Sequence, residues 1–526
     1  MNSPFPAQAS NRVPHVILCL FLLASLFPQL FWLSQPLDKM VTQSLYEDSF
    51  YYYQVARNVA QGHGALAAGG IPSNGYHPLW MFVSAGFFRV FPSDLAAIRG
   101  ICGLGLLLSI AASFFVFLTL RQLRCGIWVS VFCALFFHYN PWMMSLTTSG
   151  IEAPLNALLL ILGTWHLIRQ NNRLCWFLML GVIAGFAYLT RTDNIFFDAA
   201  LFAVAIWTAR REGAVLWRGI ALAGVIAFLI ILPWHLWNFV RFGQFMQGSA
   251  SALPVVREIV YFDEHPGASR TDFFIYRIGL LAGWFRSIFW YSGLGSLWAL
   301  LAVPLAATFF LKAERSGKRS QPNRVFSIIP LIVSVILLGI AHKFFRLATR
   351  EWYYVASDVL LALLWGIATQ YTLEKIRTHC RLPLAETIVL IIALVLPIPM
   401  LAKKTVVDWQ DRLSRPRAYA LEILDAFSKL PNLQPNEPLG STDSGILGFL
   451  SPRPVINLDG VLNPEAGRAI RDGVLLDYMQ SKGICYTIIT PRMMNERILG
   501  KDYKNRLIQR PDLTPQGYEI HDTPNY

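Results

Sequence analysis

The sequence predicts a polytopic α-helical membrane protein with a small α/β domain at its C-terminal end. The first observation is composition: 54% of the 526 residues are hydrophobic and only 15% are charged, whereas soluble domains carry about 25% charged residues. The second is that apolar runs of about 17 to 25 residues, long enough to cross a hydrocarbon core, recur before residue 402. The third is that no run of this length follows residue 402.

About eleven membrane spans are predicted, and the N-terminus is placed in the cytoplasm. The first span lacks a small-residue cleavage pattern after it, so we interpret it as uncleaved rather than as a signal peptide. The segment 79–91 is short and contains Arg89, which favours an interfacial helix. The predicted spans are 15–33, 95–120, 125–144, 154–168, 175–190, 195–209, 218–240, 287–311, 325–341, 353–372 and 385–402.

The distribution of basic residues supports this topology. The loops placed inside, such as RQLR at 121–124 and KAERSGKRSQPNR at 312–324, are all net basic. Counting 79–91 as a span would move these loops outside. The formal charge of +13 therefore reflects topology, and no nucleic-acid partner is expected. The seven cysteines contain no C-x-x-C pair and suggest neither a disulfide framework nor a zinc site.

Two domains follow from this pattern. Residues 1–402 are predicted to form the transmembrane domain, and its first extracytoplasmic loop, 34–94, is expected to carry interfacial helices. Residues 403–526 are predicted to form an extracytoplasmic α/β domain. In that domain we interpret KLPNLQPNEPLGSTDSG as a loop, RPVINLDG and CYTIITP as short strands, and LLDYMQSKG as a helix.

The first outer loop contains the stretch YEDSFYYYQVARNVAQGHG. Its apolar residues recur at helical spacing, which predicts an amphipathic helix along the membrane surface, with Gln54 and Arg57 facing away from the apolar stripe. Glu47 and Asp48 lie at the helix N-terminus, where free N–H groups and the helix dipole favour ionised carboxylates. Such a pair could act as a base or hold a cation. The local pattern equally allows Asp48 to be a helix cap and Glu47 to be solvated.

Further motifs accompany this loop and together carry a family resemblance. They are NGYHPLW, GIEAPLNALLL, LTRTDNIFF, PWHLWNFVRFG and, in the tail, DSGILGFLSPRPVINLDG. This set resembles the bacterial GT-C glycosyltransferases, which include the lipid A aminoarabinose transferase, protein O-mannosyltransferases and mycobacterial arabinofuranosyltransferases. The resemblance covers most of the chain, although each motif is short.

The resemblance implies a hexosyl- or pentosyltransferase in the inner (cytoplasmic) membrane. It would move a sugar, with inversion, from a polyprenyl-phosphate-linked donor to an extracytoplasmic glycan, lipid or protein acceptor. Because the family's leading acid is most often Asp, Glu47 departs from the pattern, and the pair is treated as one unit in which Asp48 is the preferred base. The alternatives are a polytopic transporter or lipid flippase, and a scaffold that has lost its chemistry.

Glu152 is the second predicted catalytic acid. It would orient the acceptor or share a divalent cation. The alternative is that Glu152 is a carboxylate stabilised at a helix N-terminus, without a role in catalysis. Mg²⁺ or Mn²⁺ could be held by Glu47 and Asp48. Asp443 and Asp459 are interpreted as structural residues. The less favoured hypothesis is that they contact the acceptor. Arg191 offers a planar fork for phosphate, although Asp193 could simply pair with it. The candidate substrate-binding residues are Arg57, His77, Arg191, Asp193, Arg241, Lys343, Arg346 and Arg350.

Overall fold

The computed structural model describes most of the chain and is largely helical. The described residues are 12–171, 173–209, 214–291, 324–347, 349–379, 397–414, 419–428, 436–484, 486–509 and 519–522. The α-helices are Val13–Ala24, Leu26–Ser34, Leu37–Gln43, Glu47–Ala60, Pro78–Val90, Asp94–Gln122, Ile127–His138, Pro141–Thr147, Ala153–Ile168, Leu174–Thr190, Ile195–Ala209, Ala214–Phe242, Gly248–Glu264, Arg270–Tyr291, Ile329–Gly339, Val355–His379, Pro397–Ser414, Tyr419–Ser428, Gly445–Leu450, Pro464–Asp472, Leu475–Ser481, Glu496–Leu499 and Tyr503–Arg506.

Among the described residues, five helical segments are long and apolar enough to cross a membrane. They are Val13–Ser34, Asp94–Gln122, Trp217–Phe242, Phe326–Phe345 and Glu351–Thr378, each of which overlaps a predicted span. The predicted spans 154–168, 175–190 and 195–209 also form helices, which are shorter. Most of 287–311 and 385–402 lies outside the described residues, so the total of eleven stays a prediction. The chain is a multi-pass membrane protein.

Two segments differ from their sequence-based assignments. The predicted span 125–144 is two helices, because Pro141 cannot donate to a continuing helix and Asn140 caps the second helix by accepting a bond from the N–H of Trp142. The predicted outer segment between 241 and 286 contains two helices, Gly248–Glu264 and Arg270–Tyr291. The second of these begins well before the span predicted at 287–311.

The helix Glu47–Ala60, named here the first-loop helix, is buried on more than its apolar stripe. Residues 49–56 are all buried, because the helix Pro78–Val90 packs on one side and the helix Gly445–Leu450 on another. Gln54 is only 2% exposed and donates to the carbonyl oxygens of Ser444 and Gly445, at 2.7 Å each. The prediction that the polar side of this helix faces away from the protein is wrong, because residues distant in sequence pack on that side.

The C-terminal region contains a five-stranded mixed sheet. The strands are β1 (Leu439–Ser441), β2 (Val455–Asn457), β3 (Tyr486–Ile489), β4 (Ile508–Gln509) and β5 (Glu519–Asp522), in the order β2-β1-β3-β5-β4. Strand β1 pairs in parallel with β2 and β3, whereas β5 is antiparallel to β3 and β4. Strands β2 and β3 lie at the two predicted strand motifs. Strand β1 lies in the stretch predicted as loop, because a strand of three residues that follows a proline and contains Gly440 leaves no periodic signal.

The C-terminal region packs directly on the first loop. A Cβ atom on Gly445 would lie 2.4 Å from the carbonyl oxygen of Glu47, and one on Gly75 would lie 1.9 Å from that of Val461. Both positions therefore require glycine for steric reasons. The D-S-G motif therefore meets the start of the first-loop helix, and the N-G-Y-H motif meets the loop that contains Val461. The predicted boundary at 402/403 lies within the helix Pro397–Ser414.

Candidate active site

A cavity of about 420 Å³ lies where the first loop, the membrane helices and the C-terminal region meet. This volume is within the range of about 300–1,000 Å³ that is usual for small-molecule sites. Its wall includes the start of the first-loop helix, the loop before Pro78, the first half of the helix Gly248–Glu264, Arg346, residues 350–353 and two C-terminal loops. The predicted site residues that line it are Glu47, Asp48, His77, Glu152, Arg191, Arg346 and Arg350.

Glu47 connects the first loop to the C-terminal region. Its Oε1 atom accepts hydrogen bonds from the backbone N–H groups of Gly445 at 2.5 Å and Ile446 at 3.2 Å. Burial and the nearby Asp443 carboxylate raise the pKa of Glu47 to about 8, against the two backbone donors. One oxygen of this carboxyl group is therefore engaged by backbone N–H groups, and the group is largely protonated at neutral pH.

Asp48 lies beside Glu47 but is differently placed. Within the described part of the chain it makes no hydrogen bond and no ion pair, and it faces the cavity. Burial raises its pKa to about 6, with Glu152 and Asp443 adding to the rise and Arg350 opposing it. The helix begins without a side-chain cap, so the capping interpretation of Asp48 is wrong. Asp48 is mostly ionised at neutral pH and is available to accept a proton.

Glu152 and Arg191 form a buried ion pair, and each side chain is 3% exposed. Arg191 Nη1 donates to Glu152 Oε1 at 2.5 Å, and the Tyr52 hydroxyl donates to Glu152 Oε2 at 2.9 Å. Arg191 also forms a two-bond contact with Asp193, from Nε at 3.0 Å and from Nη2 at 2.7 Å. Glu152 is thus more than a carboxylate at a helix N-terminus, because both its oxygens are held by side chains.

This network continues to His342, which lies in a short π-helix, Ile340–Phe345. His342 Nε2 and Asp193 Oδ2 are 2.8 Å apart, and the imidazole stacks on Tyr353 with ring centres 4.0 Å apart. Burial alone would raise the pKa of Asp193, but Arg191 and His342 hold this pKa well below its usual range. Arg191 therefore reaches the cavity as a cation already balanced by two carboxylates.

Three further arginines reach the cavity. Arg346 donates to the carbonyl oxygen of Ser249 at 3.0 Å, and Arg350 extends from the segment that follows. Arg257 comes from the helix Gly248–Glu264, and burial together with the charges of Arg350 and Arg492 lowers its pKa. None of the cavity arginines 257, 346 and 350 forms an ion pair with a described carboxylate. Cations held together without such partners favour an anionic ligand.

His77 lines the cavity beside Thr192, the residue that follows Arg191. Burial and the positive charge of Arg191 lower its pKa to about 4, so the ring is neutral near pH 7. The backbone N–H of Thr192 points at its Nδ1 atom at 3.5 Å, which places the ring proton on Nε2. His77 could therefore donate a hydrogen bond to a bound molecule, as a neutral group.

Four predicted site residues do not line the cavity. Arg57 pairs with Asp94 at 2.9 Å and lies over the Phe449 ring at 4.1 Å. Asp193 lies behind Arg191, and Arg241 is exposed near the end of the helix Ala214–Phe242. Lys343 is half-buried away from the cavity wall. Their binding roles stay predictions, which the geometry does not strengthen.

Three further residues that line the cavity were not predicted as site residues: Arg257, and Asp443 and Asp459, which were interpreted as structural. For Arg257 a signal existed: Leu253, Val256 and Val260 follow helical spacing around it, so an arginine interrupts an apolar face. The two aspartates belong to the tail motif DSGILGFLSPRPVINLDG, but their position at the cavity could not be predicted because it depends on long-range packing.

A divalent cation receives no support from the arrangement of side chains. Within the described ranges, no three His, Cys, Asp or Glu side chains converge as metal ligands would. Glu47 also uses one carboxylate oxygen for backbone N–H groups. The residues present thus do not fit a metal as they stand, and the Mg²⁺ or Mn²⁺ site stays a prediction.

Comparison with known proteins bears on the whole chain. Residues 75–237 match a family model described as dolichyl-phosphate-mannose-protein mannosyltransferase, and residues 419–523 match one described as a domain of unknown function. No curated protein matches the sequence. ArnT from Cupriavidus metallidurans, solved with undecaprenyl phosphate, is similar over 98% of this chain and 99% of its own, with 14% identity and a TM-score of 0.56.

A second solved structure shows the same likeness. The archaeal oligosaccharyltransferase AglB from Archaeoglobus fulgidus, in complex with an inhibitory peptide and a dolichol-phosphate, covers 98% of this chain and 75% of its own, with 10% identity and a TM-score of 0.56. The chain has the fold of the GT-C glycosyltransferases. The resemblance indicated by the motifs is confirmed. The family-model match runs from the N-G-Y-H-P motif to PWHLW and includes Glu152, Arg191 and Asp193, but not Asp48.

Proposed function

We propose that this chain is a membrane glycosyltransferase that moves a sugar from a polyprenyl-phosphate-linked donor to an acceptor outside the cytoplasm. The observation that carries the proposal is the cavity itself, in which the free carboxylate of Asp48 lies near Arg350 and shares a wall with Arg257 and Arg346. Glycosyl transfer to a hydroxyl group needs both a proton acceptor and cations for the departing phosphate.

Asp48 is the proposed base. The acceptor oxygen attacks the anomeric carbon while its proton passes to the Asp48 carboxylate. A bond forms between the acceptor oxygen and that carbon, and the bond from the carbon to the phosphate oxygen breaks, leaving its electron pair on the polyprenyl phosphate. One displacement inverts the anomeric carbon. Glu47 serves mainly to hold the helix start against the C-terminal region.

Arg257, Arg346 and Arg350 are proposed to stabilise the leaving phosphate. A guanidinium group offers two parallel N–H donors to phosphate oxygens, which suits the growing charge. Arg191 contributes less to phosphate binding in this proposal, because Glu152 and Asp193 already balance its charge. Its proposed role is to fix Glu152, and with it Tyr52, on the cavity wall.

The ligands of the similar structures support the donor class. ArnT was solved with undecaprenyl phosphate and AglB with dolichol-phosphate. We infer the same kind of lipid carrier here, with the chain in the cytoplasmic membrane and the C-terminal region outside. The sugar is a hexose or pentose, and the acceptor is a glycan, lipid or protein.

The test compares membranes that contain the native chain, Asp48→Asn or the control Asp477→Asn, matched for protein level. Asp477 is a suitable control because its exposed carboxylate pairs with Arg506 and does not line the cavity. Mass spectrometry of lipid-linked sugars and surface glycans should show one donor depleted and one product formed by the native and Asp477→Asn chains only. Transport of an intact lipid-linked sugar without any product would favour a flippase instead.

A further inference from the structure

The hydroxyl group of Tyr51 is a polar group in the cavity that the proposed reaction does not use. The Tyr51 side chain lines the cavity and the residue is only 7% exposed. It makes no hydrogen bond to any residue that the structure describes. The hydroxyl is therefore open to the cavity, where it can donate a hydrogen bond to a bound molecule and accept one from it.

Four carboxyl groups from two distant parts of the chain line the same cavity as this hydroxyl and act on it through their charges. Burial and the charges of Asp459, Glu47, Asp443 and Asp48 raise the pKa of Tyr51 well above 10. Glu47 holds the helix Gly445–Leu450, and Asp48 is the proposed base. Asp443 and Asp459 have no part in the proposed reaction, yet both line the cavity.

Asp459 is firmly positioned by its own loop. Its Oδ1 atom accepts a hydrogen bond from the backbone N–H of Val461 at 2.8 Å. The carbonyl of Val461 rests against Gly75, where a Cβ would be only 1.9 Å away, and Gly460 has a φ of +79°. Strand β2 ends two residues before Asp459, which fixes the loop to the sheet. The carboxyl group is thus held at the cavity wall from both sides.

We propose that Tyr51, Asp443 and Asp459 form a subsite that binds the hydroxyl groups of a sugar. A phenol hydroxyl and carboxyl groups are the side chains that accept and donate hydrogen bonds to polyols. Burial raises the pKa of Asp459 to about 7, so this group both donates and accepts near neutral pH, which suits a polyol better than a cation. The subsite gives a role to region 419–523, which matches a domain of unknown function.

The sugar at this subsite can belong to the donor or to the acceptor, and the chemistry is the same for both. The role of this subsite in catalysis rests on the proposed glycosyl transfer. Its binding chemistry is testable apart from transfer, because a free glycoside can occupy a polyol subsite without reacting.

The experiment measures saturation-transfer NMR between the full chain in lipid nanodiscs and the methyl glycosides of glucose, mannose, galactose, arabinose and N-acetylglucosamine. The native chain and the exposed control Asp477→Asn should bind at least one glycoside. Tyr51→Phe and Asp459→Asn should each weaken that binding at least fivefold. The proposal is overturned if no glycoside binds the native chain, or if both variants bind as the native chain does.

Tyr51→Phe removes only an oxygen atom, so it keeps the test valid even if Asp459→Asn fails to fold; thermal melting of each variant checks this. A second arm adds undecaprenyl phosphate carrying the same sugar. Displacement of the glycoside by this lipid, but not by undecaprenyl phosphate alone, assigns the subsite to the donor. Retention of the glycoside in its presence assigns the subsite to the acceptor.

The subsite and the proposed function fail in different ways. Glycoside binding that depends on Tyr51, in a chain that neither binds undecaprenyl phosphate nor transfers sugar, would reject the transferase and keep the subsite. Sugar transfer that Tyr51→Phe and Asp459→Asn leave unchanged, in KM and in kcat, would reject the subsite and keep the transferase.

Discussion

At the scale of single residues, Glu47 and Asp48 show how neighbours in sequence come to differ in chemistry. The first-loop helix turns the two side chains in different directions, so that one meets backbone N–H groups at Gly445 and Ile446 while the other meets open cavity. The same first turn of helix thus supplies an anchor and a free carboxylate.

Substitution of each acid separates these roles. Asp48→Asn should lower kcat by about 10²- to 10⁴-fold, the usual contribution of a general base, with melting temperature nearly unchanged. Glu47→Gln keeps an oxygen that accepts the N–H bonds, so its effect on kcat should be below about tenfold on the same scale. Sugar transfer and thermal melting are measured for both. A larger loss from Glu47→Gln than from Asp48→Asn would reverse the assignment.

The pH dependence of transfer distinguishes the same two residues. A base acts in its ionised form, and the pKa of Asp48 is raised to about 6. The rate should therefore rise as the pH increases from 5 to 7, with a midpoint near that value. Glu47, with a pKa of about 8, would give a midpoint two units higher. His77 stays neutral throughout, because its pKa is about 4. A rate that falls over this range would exclude a carboxylate base.

The residue scale is also where prediction from sequence stops. The arginines at 346 and 350 could be predicted because charged residues stand out among apolar runs, whereas the roles of the acid pair and Glu152 were implied by the family resemblance. The choice between Glu47 and Asp48 could not be made, since it depends on a contact almost 400 residues away. Tyr51, Asp443 and Asp459 likewise meet only in the fold.

At the scale of elements, the Glu152–Arg191–Asp193 network joins the first-loop helix to three other segments. Tyr52 comes from that helix, Glu152 from the start of the helix Ala153–Ile168, and His342 from the π-helix. π-Helical turns are often found at functional sites, and here the turn brings an imidazole to Asp193.

Removing Arg191 should destabilise this assembly strongly. Arg191→Leu leaves the buried carboxylate of Glu152 without its cation and removes one of the partners of Asp193. Breaking a buried pair costs about 3–5 kcal/mol. Melting temperature in detergent should fall clearly for Arg191→Leu. It should recover in part in Arg191→Leu/Glu152→Leu, which removes one of the stranded charges. The matched control Arg506→Leu breaks an exposed pair with Asp477 and should change little. Equal melting of Arg191→Leu and the native chain would show that the network is not structural.

The contact between the first-loop helix and the helix Gly445–Leu450 depends on the absence of a side chain. Gly445→Ala would bring a Cβ to 2.4 Å from the carbonyl oxygen of Glu47, so melting temperature and activity should both fall. Gly86→Ala is the control, because nothing lies within 4 Å of its added Cβ and alanine favours a helix. The two alanine variants are compared by thermal melting. Unchanged melting of Gly445→Ala would argue against this close contact.

At the scale of the whole molecule, the helical membrane class and the positions of the long spans follow from hydropathy alone. Breaks such as that at Asn140 and Pro141 depend on capping and were missed, and β1 was missed because three central residues show no alternation. The meeting of 34–94 with the C-terminal region could not be predicted, because it arises from packing between segments distant in sequence. That meeting creates the cavity, so the fold class was predictable and the shape of the site was not.

The proposed reaction is transfer of a sugar from polyprenyl phosphate at the cavity that contains Asp48. The most direct measurement supplies the purified chain with the lipid-linked sugar and acceptor identified in membranes, and follows released polyprenyl phosphate and product together. The native chain should release one polyprenyl phosphate for each sugar transferred, and NMR of the product should show that the configuration at the anomeric carbon is inverted. Asp48→Asn should release almost no polyprenyl phosphate. Equal release by Asp48→Asn, or loss of the donor without any polyprenyl phosphate, would contradict the account.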